Sequence, residues 1–199
     1  MGIIRKAEGS RQQKIGFADT YTDTTEFAMF RDLLKREKRA ILEKWFNLIL
    51  ETYPVDTASW IKKDKNQFTN PVGGTISKEI ETLFDGLLGG ANPDRVSTSL
   101  DAILKIRSVQ DFTPSQAVGF IFLLKKGIGE ALKAEIHQES FLKDWIRFQE
   151  KIDEMALLAF DIYMSCREKI CDLKVNQARA EKEIAYRMME RINFSREKT

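Results

Sequence analysis

At 199 residues the chain has room for one domain and an extension. Its 43% hydrophobic and 31% charged content places it in the globular class and excludes a wholly disordered chain. The 32 basic and 30 acidic residues are interspersed and leave a net charge of +2, which excludes the single-sign field that steers nucleic acid or anionic lipid.

Residues 1–24 mix Gly, Ser, Thr, Lys and Gln without apolar periodicity and read as a mobile tail. Met1-Gly2 opens like an acylation signal, but Lys6 stands where that motif needs Ser or Thr. From Phe27, apolar residues return at helical spacing: Phe30, Leu33, Leu34, Ile41, Leu42, Trp45, Phe46, Ile49 and Leu50. This predicts one long amphipathic helix ending at Tyr53-Pro54, since the residue before proline is pushed out of helical geometry. Residues 54–74 read as a short helical turn around Ala58 to Lys62 and then a loop, with Trp60 and Phe68 expected to pack on the core. Gly73-Gly74 after Pro71 reads as a plain turn, the alternative being an anion cradle at the next helix start.

A second helix is expected from about Thr75, stopped by Gly89-Gly90, and a third from Asn92 as cap with Pro93 in the first turn. It breaks near Asp111-Phe112. Thr113, Pro114 and Gln116 then spell a capping box that opens a fourth helix through Phe120, Phe122, Leu124, Ile128 and Leu132. From Glu139 to about Arg191 no Gly or Pro occurs, so the last helix would run roughly 80 Å, too long for one core to cover. Its first half, with Phe141, Trp145, Phe148, Ile152, Met155, Ala156, Ala159, Phe160 and Tyr163, belongs to the body, 25–165. Over 166–199 a sparser stripe of Cys166, Ile170, Leu173, Gln177, Ala180, Ile184 and Met188 approximates a heptad seam, weakened by Gln177 and Ala180. The expected fold is all-α: a single globin-like or related helical bundle whose long C-terminal helix extends from the core.

Chemistry is sparse in this pattern. The single His, His137, makes no triad and reads as a surface or structural residue, the alternative being a haem ligand. Cys166 and Cys171 are too far apart along a helix to pair, which favours a reducing, cytoplasmic setting; a thiol sensor is the rival reading. No metal and no cofactor are expected. The longest apolar run, Ala117 to Leu124, falls far short of the roughly 20 residues of a membrane span. The least ordinary stretch is Ile106 to Gln116, which sets Arg107, Gln110 and Asp111 beside Phe112 and a capped helix start. The bland reading is an interhelix corner in which Arg107 neutralises Asp111. The sharper one is a ligand or partner site in which Arg107 and Gln110 donate hydrogen bonds, with Trp45, Phe68 and Phe112 as apolar walls.

Several segments together resemble a known family: Ile41-Leu42 with Trp45, Glu51-Thr52-Tyr53-Pro54, Phe68 with Asn70-Pro71-Val72-Gly73, and Ile106-Arg107 with Val109-Gln110-Asp111-Phe112. Pro114-Ser115-Gln116-Ala117 follows, then Leu157 to Tyr163 leading to Cys166-Arg167-Glu168. Across residues 27–175 the chain resembles the N-terminal domain of RsbT co-antagonist proteins of the RsbR type, in the RsbRD subfamily, which are sensor subunits of bacterial stressosomes. The resemblance implies a dimeric, globin-like sensor without haem that signals through its last helix to a STAS output domain. No βα pattern follows the long helix here, so a stand-alone form is expected. Similar domains also occur near electron-transport complexes of sulfur metabolism, which implies an accessory role as a rival. The expectation is therefore a non-enzymatic, cytoplasmic regulatory module, a homodimer with a protein partner in a signalling or electron-transport assembly. A small-molecule or redox sensor is the alternative.

Overall fold

The computed structural model describes residues 25–63, 70–110, 112–133, 135–136 and 138–196. Among them the chain forms eight α-helices and no strand: α1 (Thr25–Arg36), α2 (Lys38–Leu50), α3 (Val55–Lys63), α4 (Pro71–Leu87), α5 (Pro93–Ser108), α6 (Pro114–Gly119), α7 (Leu123–Ala131) and α8 (Glu139–Arg196). The all-α expectation holds.

The apolar stripe that opens the body is bent once, at Glu37, into α1 and α2. Backbone bonds from Glu37 to Leu33 and from Ile41 to Glu37 persist on both sides of the bend, so the break costs little hydrogen bonding. Its cause is tertiary. Phe30 on α1 packs beside Phe141 and Phe148 of α8, with ring centroids 5.9 and 6.1 Å away, whereas α2 lies mainly on α7 and α4. A straight helix could not present one stripe to both partners.

The stretch after α3 departs from expectation. Helix α4 begins at Pro71 rather than Thr75, because Asn70 caps it: its Oδ1 accepts from the Gly73 backbone N–H at 2.9 Å. Asn70 Nδ2 also donates to the Ile61 carbonyl at 2.7 Å, closing the end of α3 onto the start of α4. Gly73-Gly74 is thus the first turn of a helix, not a loop or an anion cradle, and a side chain at Gly73 would collide with Asn70 and Ile61. Trp60 is half exposed instead of packed on the core, and Phe68 lies outside the described residues.

The punctuation read further along is observed. Gly89 ends α4 with φ of +78°, a conformation that costs a side chain but not a glycine. Asn92 and Thr113 cap α5 and α6, the latter with a complete capping box. The expected fourth helix is nevertheless two pieces. Between Gly119 and Leu123 the bonds shorten to the i−3 type, Ile121 to Val118, Phe122 to Gly119, Leu124 to Ile121 and Lys125 to Phe122. Phe122 is turned out of the core by this tightening.

Helix α8 gathers the rest, with α5, α6 and α1 lying along its first half. Its buried face is Phe148, Ile152, Met155, Ala159 and Tyr163, ending at Cys166, whereas Phe160 faces outward. Residues 171–190 are all exposed.

Candidate functional site

The corner singled out in the sequence is where α2 ends, α5 ends and α6 begins. Pro54 stops the chain from continuing α2, and the last turn tightens through Thr52 N–H to Ile49 and Tyr53 N–H to Leu50. That leaves the Thr52 hydroxyl and the Tyr53 ring directed at the C-terminal turn of α5. There Arg107 is fully buried, among the largest side chains with no exposed surface.

Arg107 Nη2 donates to Thr52 Oγ1 at 3.1 Å and to the Gln116 carbonyl in the first turn of α6 at 3.0 Å. The Thr52 hydroxyl in turn donates to the Ile49 carbonyl at 2.7 Å, which fixes its lone pairs toward the arginine. The guanidinium carbon lies 4.0 Å from the Phe112 ring centroid, 5.2 Å from that of Tyr53 and 5.8 Å from that of Phe120. Tyr53 meets Phe112 edge to face at 5.2 Å. The cation is therefore enclosed by three rings, an arrangement that stabilises a desolvated guanidinium electrostatically. Beneath it, Trp45 stacks on Phe120 at 6.4 Å and donates its indole N–H to the Phe120 carbonyl at 2.7 Å.

Arg107 Nε and Nη1, the Tyr53 hydroxyl and Gln110 Oε1 are buried without a hydrogen bond of good geometry, although the Tyr53 hydroxyl and the Arg107 guanidinium are close enough to stabilise each other directly. Such atoms normally find partners, and each one left alone costs roughly 1–3 kcal/mol. Burial lowers the pKa of Arg107, against an opposing pull from Tyr53, and burial raises that of Tyr53, against an opposing pull from Arg107. No carboxylate forms an ion pair with Arg107 among the described residues.

Of the residues expected to form the site, the structure brings Trp45, Arg107 and Phe112 into one connected cluster, with Gln110 in the turn between the last two. Asp111 and Phe68 lie outside the described residues, as does His137. Sequence reasoning missed Thr52, Tyr53, Phe120 and the Gln116 carbonyl as the partners of Arg107. The signal for the first two was present, because a Thr-Tyr-Pro helix stop must aim its side chains at whatever packs on that end.

A pH dependence follows from the raised groups. Tyr53 holds its proton in the folded state at a pH where the unfolded chain releases it. Lys38 is also raised: burial lowers it, but its bonds to Asp85 at 2.7 Å and Glu81 at 2.9 Å outweigh that. Both contributions are fully present below a pH of about 10 and are lost as pH rises through the folded-state values. Stability from urea unfolding is expected to fall above about pH 10, and Tyr53→Phe to reduce the slope. An unchanged slope in the variant would show that Tyr53 titrates alike in both states.

The geometry defines an all-helical domain organised on a buried cationic corner. The chain matches the family described as the RsbT co-antagonist protein rsbRD N-terminal domain over residues 39–174, more than half its length, and belongs to that family of regulatory domains. An uncharacterized protein of Archaeoglobus fulgidus is 23% identical to it over 155 residues, covering 77% of this chain and 93% of the relative. No solved structure matches the chain. Among the described residues no helix is long and apolar enough to cross a membrane.

Proposed function

We propose that the protein is a non-enzymatic regulatory module that acts as a homodimer and passes a change of state along α8 to a protein partner in a signalling assembly. Family membership supports the regulatory part. The carrying observation for the rest is the outer face of α8. Leu142, Ile146, Leu157, Phe160 and Met164 are all exposed there, and their spacing puts them within an arc of about 60° at 100° per residue. Phe122 lies beside them: Lys125 sits 5.7 Å over its ring and bonds Asp153 on α8 at 2.6 Å.

Cys171 and Val175 carry the same stripe into the extension. Ile170, Leu173, Gln177, Ala180, Ile184 and Met188 instead prolong the buried face of α8 past the body; Leu173, Ile184 and Met188 are more than half exposed. A helix with apolar rows on two sides is stable in water when something covers them. Pairing about a two-fold axis covers the same row on both copies. Several carboxylates of the body are held by lysines, as in Lys38 with Asp85 at 2.7 Å and Lys105 with Asp101 at 2.6 Å, and among the described residues no cluster of His, Cys, Asp and Glu could hold a metal ion. A redox role gains little from Cys166, which is buried and whose thiol is pushed up by burial and by Asp101.

Light scattering on the full chain tests this. A dimer is expected, and Leu157→Glu with Phe160→Glu should weaken it by about 100-fold or more, each buried charge costing over 1.4 kcal/mol. A monomer at every concentration, or a dimer indifferent to the double variant, would sink the proposal.

A further inference from the structure

We infer that the extension of α8 is an arm that packs on the body of a second copy, so that the two α8 helices run antiparallel. The inference rests on the homodimer reading and deepens it by fixing which surface of the partner each stretch meets. The outer row of α8 does not stop at Met164. Cys171, Val175, Ala178, Lys182, Tyr186 and Met189 continue it within an arc of about 80° at 100° per residue, and all of them are exposed. The row also recurs at 11 residues, as in Leu142, Asp153, Met164 and Val175 or in Ile146, Leu157 and Glu168. Eleven residues in three turns is close to the natural helical period, so two nearly straight helices keep such a row in contact over a long span.

Size and charge choose the antiparallel arrangement. In the body the row is bulky, with Leu157, Phe160 and Met164, whereas the near half of the extension is slender, with Cys171, Val175 and Ala178. A two-fold axis crossing α8 between Arg167 and Glu168 sets Met164 against the partner's Cys171, Phe160 against the partner's Val175 and Leu157 against the partner's Ala178. Large meets small at each step, which keeps the separation of the helices even. The same axis places Asp153 against the partner's Lys182, Arg167 against the partner's Glu168 and Ile146 against the partner's Met189. The Asp153 side chain is half exposed although it holds Lys125 at 2.6 Å, so its carboxylate has room for a second cation. Parallel pairing in register would bring the two copies of Phe160 together and leave the slender stretch poorly filled. It would also oppose Asp153 and Lys182 each to its own copy, which costs association. Antiparallel pairing engages roughly 65 Å of each helix at 1.5 Å per residue. The row from Ile170 to Met188 lies on the opposite side of the arm and stays open to a protein partner.

Disulfide cross-linking of the full-length protein under mild oxidation with copper phenanthroline tests the arrangement. The two copies of Cys171 would stand about 10 Å apart along the helix axis, beyond disulfide reach, so the parent is expected to give little covalent dimer. Met164→Cys sets a thiol opposite the partner's Cys171 and is expected to turn most of the dimer covalent, an effect that Cys171→Ser in the same chain abolishes. Charge gives a second readout. Lys182→Glu, on an exposed helix face, should weaken dimerisation by about 5-fold in sedimentation, and Asp153→Lys in the same chain should restore it. Ready linkage of the parent through Cys171 would show parallel pairing. A dimeric Met164→Cys variant that stays unlinked, or a Lys182→Glu variant of unchanged affinity, would show that the arm lies elsewhere; each of these overturns the inference. A dimer weakened by Leu157→Glu with Phe160→Glu that nevertheless links through Cys171 keeps the homodimer reading and overturns the arm alone. A monomer would leave the face to a different protein and overturns both.

Discussion

Trp45→Ala is expected to be among the most damaging single changes in the chain, costing about 4–5 kcal/mol, a large part of the stability of a domain this size. The side chain is fully buried, stacks on Phe120 and lies under the close crossing of α2 and α7, where Gly127 sits against the Trp45 backbone. Its indole N–H has a second role. The break between α6 and α7 leaves the Phe120 carbonyl without its helical partner, since Leu124 N–H bonds Ile121 instead, and Trp45 supplies the missing donor at 2.7 Å. Trp45→Phe separates the two effects: it keeps most of the ring packing but orphans the carbonyl, for an expected loss of roughly 1–3 kcal/mol. Urea unfolding of both variants reads the difference. If Trp45→Phe matched the parent, the indole bond would not be what holds the interrupted helix.

The Trp45 example also shows how far the sequence could be read. Caps, stops and glycine terminators were legible because each acts within a few residues: Asn92-Pro93, Thr113 with Gln116, Gly89 and Tyr53-Pro54 all stand where local chemistry put them. The interruption at Glu37 carries no Gly or Pro and the one between Gly119 and Leu123 only a single glycine inside a helical pattern; both arise because different stretches of one apolar stripe face different partners. Asn70 was passed over as a cap because the glycines after Pro71 suggested a loop. Its bond to Ile61, across nine residues, is what makes the cap worth forming. In the candidate site, Arg107, Gln110 and Phe112 were legible as an unusual local run. The other half of the enclosure comes from α2, and sequence spacing cannot reveal which helix end a buried arginine meets.

Arg107 itself gives the sharpest contrast between holding the fold and serving a site. Arg107→Ala removes the bonds to Thr52 and Gln116, the contact with Phe112 and the volume of a fully buried side chain, with an expected loss of about 3–5 kcal/mol. Arg107→Met keeps much of that volume and deletes a desolvated charge. Replacing buried charges with apolar groups of similar size is often neutral or stabilising, so the net loss should stay within roughly 1 kcal/mol even though the Gln116 carbonyl loses its donor. Urea unfolding measures both. If the two variants are equally destabilised, Arg107 is a structural hub whose bonds outweigh its desolvation, and its unbonded nitrogens are incidental. If the methionine variant stands near or above the parent, the arginine lowers the stability of the fold that buries it.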